Sequence, residues 1–387
     1  MRFDFDRIID RGPESAVKHV TLMEKFGRED VIPLWIADMD FSTAPAVTQA
    51  LQKRLESGVY GYTRCPDSYY QALIGWQQRR HGWSPRQELL SCCTSIVAVL
   101  KLLVQAFTQP GDEVVFFSPA YPPFYLTSEQ WGRKPLPCPL LLDDAGYHID
   151  WAAFESALAR KPALMILCSP HNPTGRCWTR EELERISRLC RAYGVLVVSD
   201  EIHADLTMFG HRHIPFASLD SDTAANTITC LSASKAFNLA GMQICTTHFP
   251  TAAHRKQFEA QQARTEDCVN ALGWVAAQAA WNEGEAWFDA LRAYLEGNIM
   301  LAQQRIAPLP GLRFFLPQAT YLLWLDCREL GMTGDGLMDF FVNKARLGPG
   351  DGRDFRGPEG WVRLNLACPR PVLTEAMDRL TAAIRGL

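Results

Sequence analysis

At 387 residues the chain exceeds the length at which one hydrophobic core keeps growing, so a large domain with a smaller companion is expected. Hydrophobic residues make up 47% and charged residues 21%, an ordinary soluble composition, and a formal net charge of -4 gives no electrostatic reason to expect a nucleic-acid partner. The twelve cysteines include no C-x-x-C pair, and several sit in apolar runs, such as Cys168 in ALMILCSP and Cys190 in ISRLCRAYG; buried free thiols are expected rather than disulfides or a metal site, which points to the cytoplasm.

The N-terminal MRFDFDRIIDRGPES alternates charged and apolar residues and has no h-region, so it does not read as a secretory signal. The first forty-odd residues, through Pro33 and Pro45, are expected to run along the smaller domain. Cys93-Thr94-Ser95-Ile96 opens a helix that continues VAVLKLLVQAF. DEVVFFSP, ALMILCSP and GVLVVSDE are apolar with little alternation, the pattern of parallel strands buried on both faces. Between the last two, Thr179 to Tyr193 starts with a capping-box pair, Thr179 and Glu182, and continues with Leu183, Ile186 and Leu189 at helical spacing. Thr227 to Leu231 and Gln243 to Thr247 read as further strands.

The apolar stretch Cys268 to Trp281 is shorter than the ~20 residues a membrane span requires and contains Asn270 and Gln278, so no membrane association is expected. From Glu283 the pattern changes. A helix, Glu285 to Ile306, leads into LRFFLPQATYLLWLDC, read as a pair of strand segments. A helix from Gly336 to Ala345, the strand WVRLNLA and a helix from Leu373 to Ile384 follow. The fold class is therefore α/β, an open and mostly parallel sheet with helices on both faces, plus a smaller α+β domain. The expected division is 46–284 for the large domain, with 1–45 and 285–387 forming the small one.

Ligands in such sheets bind outside the carboxyl ends of the strands, and the polar clusters fall there. One β-run ends in Ser169-Pro170-His171-Asn172-Pro173-Thr174-Gly175, the next in Asp200-Glu201-Ile202-His203, the next in Ser232-Ala233-Ser234-Lys235. Each alone is weak: N-P-T-G is ordinarily a turn, an Asp at a strand end ordinarily a cap, Ser-x-Ser-Lys a common loop. Together and in this order, with 28 residues from Asn172 to Asp200 and 35 from Asp200 to Lys235, they resemble the fold-type-I pyridoxal-phosphate enzymes of the class I and II aminotransferase superfamily.

That resemblance implies a seven-stranded-type sheet and pyridoxal 5′-phosphate carried by Lys235 as a Schiff base. It implies Asp200 opposite the pyridine nitrogen, where a carboxylate keeps the ring protonated and electron-accepting. Asn172 and His203 would lie by the phenolic oxygen, and Tyr121 in SPAYPPFY would stack on the ring. Ser95 and Ile96 at a helix start, with Ser232 and Ser234, would hold the phosphate. Arg363 in WVRLNLACP, with Asn172, would hold the substrate α-carboxylate through a guanidinium fork. The bland readings are a packed histidine for His203, a plain cap for Ser95, a core aromatic for Tyr121 and a surface ion pair for Arg363. The apolar neighbours Val362, Leu364 and Leu366 weigh against the last.

Within the superfamily, WIADMDF (35–41), GVYGYTR (58–64), CSPHNPTGRCWT, SDEIH, SASKAFNLAGMQ and TYLLWLD resemble the MalY/PatB-type cystathionine β-lyases. That branch implies a homodimer in which Tyr62 reaches the neighbouring subunit's site. His203 stands where transaminases carry Tyr, Gln243 where they carry a basic phosphate ligand, and Cys93 at a helix start that is often Gly. The implied reaction is β-elimination from a small cystathionine- or cysteine-type substrate to pyruvate, ammonia and a thiol. The alternatives are an aminotransferase on the same scaffold, or a regulatory binding protein that has kept the fold. An intact set of Lys235, Asp200, Asn172 and Arg363 argues against loss of chemistry.

Overall fold

The computed structural model describes residues 3–265 and 267–387. Twelve strands occur among them: β1 (Ile32–Leu34), β2 (Leu90–Cys93), β3 (Glu113–Ser118), β4 (Lys134–Asp143), β5 (Gly146–Ile149), β6 (Leu164–Cys168), β7 (Leu196–Asp200), β8 (Thr227–Leu231), β9 (Cys245–His248), β10 (Leu322–Asp326), β11 (Leu347–Asp351) and β12 (Trp361–Asn365). They form an eight-stranded sheet in the order β2-β9-β8-β7-β6-β3-β4-β5 and a four-stranded sheet in the order β1-β11-β12-β10. In the large sheet β8, β7, β6, β3 and β4 run parallel, whereas β9, β2 and β5 join antiparallel.

The parallel strands are buried on both faces because their side chains alternate between two cores. Val115, Phe117, Met165, Leu167 and Val197 pack into one cluster. Val114, Phe116, Leu164, Ile166, Val198 and Ile228 pack into the other. The long helix spans Glu285–Ile306 as the sequence predicts, and the four-stranded sheet takes one strand from before residue 46 and three from after residue 285.

The structure departs from the sequence expectations in four places. The large sheet has eight strands rather than seven, because β4 turns back through Asp143 into β5. The first half of β4, residues 134–139, pairs only with β3, and its Pro135, Pro137 and Pro139 are tolerated because no second neighbour needs their missing N–H groups. The first part of LRFFLPQATYLLWLDC is not a strand. It makes a single bridge, Arg313 to Asp326, before Pro317, which has no amide hydrogen to extend a ladder. The helix read at 336–345 is α-helical over Gly334–Asp339 and π-helical over Phe340–Lys344. Finally, β11 has the turn-like sequence LGPGD but lies between β1 and β12, where Gly348 gives room to the Phe26 ring.

The capping box forms as read: Thr179 Oγ1 accepts from Glu182 N–H at 3.2 Å, and Glu182 Oε2 accepts from Thr179 N–H at 2.9 Å. Thr179→Ala is expected to destabilise the first turn of the Arg180–Ala192 helix by about 1 kcal/mol. Faster amide hydrogen exchange confined to residues 181–183 checks this.

Candidate active site

Four neighbouring parallel strands deliver side chains from their carboxyl ends to one place. Tyr121 follows β3, Asn172 follows β6, Asp200 ends β7 and Lys235 follows β8. His203 lies three residues past Asp200, and Arg363 enters from β12 of the smaller sheet, where it pairs with Trp324 and Gly350. These six residues border a single cavity of about 410 Å³. The N-P-T-G turn that positions Asn172 needs its glycine. Gly175 has φ 68° and lies so close to Pro317 and the Ala319 carbonyl that a Cβ would meet them at 2.8 and 3.1 Å.

Arg363 Nη1 donates to Asn172 Oδ1 at 3.1 Å and Nη2 donates to the Trp35 carbonyl at 2.8 Å, while its buried Nε has no partner among the described residues. Lys235 Nζ donates to the Ala37 carbonyl at 2.7 Å. Asn238, three residues on, clamps the same segment by donating to the Met39 and Phe41 carbonyls, both at 2.9 Å, and accepting from Met39 N–H at 3.0 Å.

Burial dominates the electrostatics. It brings the Lys235 amine down to about 8, helped by the Arg363 charge and opposed by Asp38 and Asp200. Burial holds His203 near 3, with Lys235 and Arg363 adding to the effect, so its ring is neutral; its Nδ1 is buried without a partner among the described residues. Burial also lifts the Asp200 carboxyl to about 7, with the Glu201 carboxylate adding, against one hydrogen bond from Ile202 N–H at 3.3 Å. A buried carboxyl with one long hydrogen bond has room for a cationic N–H donor, and such a donor restores its charge. Together with the unpartnered His203 Nδ1 and Arg363 Nε, this set fits an aromatic nitrogen base and an anionic substrate group.

The remaining predicted residues stand outside the cavity lining. Ser95 caps the helix Ile96–Phe107 by accepting from Ala98 N–H at 3.2 Å. An anionic oxygen already engages the donors of this turn: the Asp267 carboxylate accepts from Thr94 N–H at 3.2 Å and from the Thr94 hydroxyl. Ser232 Oγ donates to the Ile244 carbonyl at 2.7 Å and accepts from Ser234 N–H at 3.1 Å, which shapes the lysine loop. Gln243 is exposed, with a left-handed φ of 50°. Tyr62 is fully exposed at 112% and meets no site residue of its own chain. The sequence reading missed Arg11 and Asp38, which also border the cavity. The signal present was the pair of carboxylates two residues apart within the otherwise apolar WIADMDF.

The model of the class I and II aminotransferases matches residues 29–380. The chain belongs to that family. It is 40% identical over 385 residues to cystathionine β-lyase PatB of Bacillus subtilis, covering 98% of this chain and all of that protein. It is 34% identical to protein MalY of Escherichia coli over the whole of both chains. The crystal structure of cystalysin from Treponema denticola, which contains a pyridoxal 5′-phosphate cofactor, superposes with a TM-score of 0.97 at 31% identity over the full length of both chains.

The Asp200 environment has a measurable consequence. Its carboxyl is raised from an ordinary 3.8 to about 7, so between those values the cofactor-free fold holds a proton that the unfolded chain has lost. Its contribution to stability therefore falls as pH rises through that window. Asp200→Asn removes this slope. In urea unfolding of the cofactor-free protein, the variant should gain on the wild type from pH 4 to pH 7, by up to about 4 kcal/mol. A constant difference would mean that the carboxyl titrates normally.

Proposed function

We propose that this protein is a pyridoxal-phosphate-dependent carbon–sulfur β-lyase that breaks the Cβ–S bond of cystathionine- and cysteine-type amino acids, giving pyruvate, ammonia and a thiol. The observation that carries the amino-acid chemistry is the pairing, in one cavity, of an amine brought down to about 8 with a buried guanidinium. The choice of elimination is supported by full-length similarity to a protein named as a cystathionine β-lyase.

In this reading Lys235 would carry the cofactor, Asp200 would serve its ring nitrogen, Asn172 and His203 its phenolic oxygen, and Tyr121 would pack on the ring. Ser95, Ile96, Ser232 and Ser234 would hold the phosphate. When bound, pyridoxal phosphate supplies a conjugated ring that accepts the electron pair left on the substrate's Cα. Arg363, steadied by Asn172, takes the substrate α-carboxylate and aligns the Cα–H bond. Lys235, with its amine free, would remove the Cα proton. The electron pair of that C–H bond would become the Cα–Cβ double bond as the C–S bond breaks; the thiolate leaves with the C–S pair, and the 2-aminoacrylate set free takes up water from solvent to give pyruvate and ammonia. A neutral His203 adds no positive charge to hold a proton near the ring.

We take residues 46–284 as the cofactor domain and 1–45 with 285–387 as the small domain. The site is completed by a second copy of the chain. The exposed Val59, Tyr60 and Tyr62 on the connector after the Pro45–Leu55 helix supply the apolar contact, and Tyr62 enters the partner's site. Twelve free thiols favour a reducing compartment, the cytoplasm.

With L-cystathionine as sole substrate, the holoenzyme should release pyruvate, ammonia and a thiol with no keto acid added. Accumulation of glutamate from 2-oxoglutarate, with no pyruvate from β-thio substrates, would replace this reading with an aminotransferase.

A further inference from the structure

The mechanism above gives Lys235 a proton and leaves that charge without a partner. Asp38 has a place in the cavity and no task. Its backbone is fixed, since Asn365 Nδ2 donates to the carbonyls of Ile36 and Asp38, each at 2.6 Å. The preceding carbonyl, Ala37 O, accepts both Lys235 Nζ at 2.7 Å and the Tyr321 hydroxyl at 3.2 Å. One carboxylate oxygen of Asp38, Oδ2, is taken by Arg11 Nη2 at 2.9 Å. The other, Oδ1, is buried and accepts no hydrogen bond among the described residues, although Lys18 Nζ lies 3.7 Å away. A buried carboxylate oxygen without a donor is costly and calls for an explanation.

The surrounding charges narrow the explanation. Lys18, fully buried, puts its shorter contact on Asp40 at 2.6 Å, and Arg11 Nη1 also binds Asp40 at 2.8 Å, with His19 at 3.4 Å from the same carboxylate. Asp40 therefore absorbs much of the positive charge behind Asp38. On the cavity side, the charged groups acting on Lys235 are Arg363 from β12, Asp200 from β7 and Asp38 from the 35–41 segment. Arg363 opposes its proton, and the two carboxylates favour it. If Asp200 faces the ring nitrogen, its charge is committed there, and Asp38 remains as the carboxylate available to the lysine.

We propose that Asp38 is the counter-charge of Lys235, a positioning residue whose free oxygen receives the lysine ammonium once the amine has taken up a proton. The inference rests on the reading of Lys235 as the base. In that step the Cα–H bond breaks, its electron pair stays with the substrate, and the new N–H of Lys235 is held by hydrogen bonding to Asp38, which remains a carboxylate. Holding the ammonium where it forms favours proton removal and keeps the amine aimed at Cα.

The test reads the lysine directly, without substrate. In the cofactor-free protein, the pH dependence of reductive methylation at Lys235, followed by peptide mass spectrometry, gives the midpoint of its titration. Asp38→Asn should lower that midpoint by roughly one unit or more, and Asp38→Glu should restore it. Arg11→Gln, which releases Asp38 from its cation, should raise it, so a failure of the Asn variant to fold still leaves a decisive measurement. In the holoenzyme, Asp38→Asn should lower kcat with little change in KM. A Lys235 midpoint unmoved by either substitution, or moved in the opposite direction, overturns the proposal. Because no substrate is present, this outcome is separate from whether cystathionine yields pyruvate.

Discussion

The rest of the structure depends on taking four ionisable groups out of water at the ends of neighbouring strands. Asp200, His203, Lys235 and Arg363 share one cavity, and burial is the largest influence on every one of them. Each is pushed toward its neutral form: the carboxyl up to about 7, the amine down to about 8, the imidazole to about 3 and the guanidinium to about 10. Such shifts follow from the sheet. Strands apolar on both faces leave no wet side, so polar groups at their tips meet the ligand or each other. An amine whose proton is held less tightly than usual and a carboxyl short of partners are unfavourable for the cofactor-free fold, and both would become useful beside a cationic ring nitrogen.

The segment 35–41 ties this cavity to the second sheet. Its carbonyls accept from Lys235, Arg363, Asn365, Asn238 and Tyr321, so hydrogen bonds tie the lysine loop and β12 to the segment that follows β1. The direct bond from Arg363 to Asn172 adds a link between the two sheets. In the proposed role, Arg363 would need such support, because catalysis is sensitive to small displacements of positioned groups.

Much of this was legible in the sequence, for reasons specific to particular residues. Cys168, Asp200 and Leu231 end apolar runs abruptly, and the polar clusters that follow mark strand tips without any need for tertiary information. The capping box of Thr179 and Glu182 is local and therefore readable. What escaped was set by distant pairing. β11 reads as a turn because Gly348, Pro349 and Gly350 are poor strand formers, and only its place between β1 and β12 makes it a strand. β4 was hidden by three prolines that are tolerated only where one of its sides is unpaired. Arg11 and Asp38 lie about 200 residues from Lys235 in the chain, and nothing local announces that β1 and its flanking segment close over the lysine.

The central claim is that Lys235 is the point of attachment of the cofactor and the base of the reaction. Borohydride reduction of the yellow holoenzyme, followed by peptide mapping, tests it most directly. The account predicts a single stable pyridoxyl label, on the peptide containing Ser232 to Lys235 and on Lys235 itself. A label on any other lysine, or none after reduction, would contradict it.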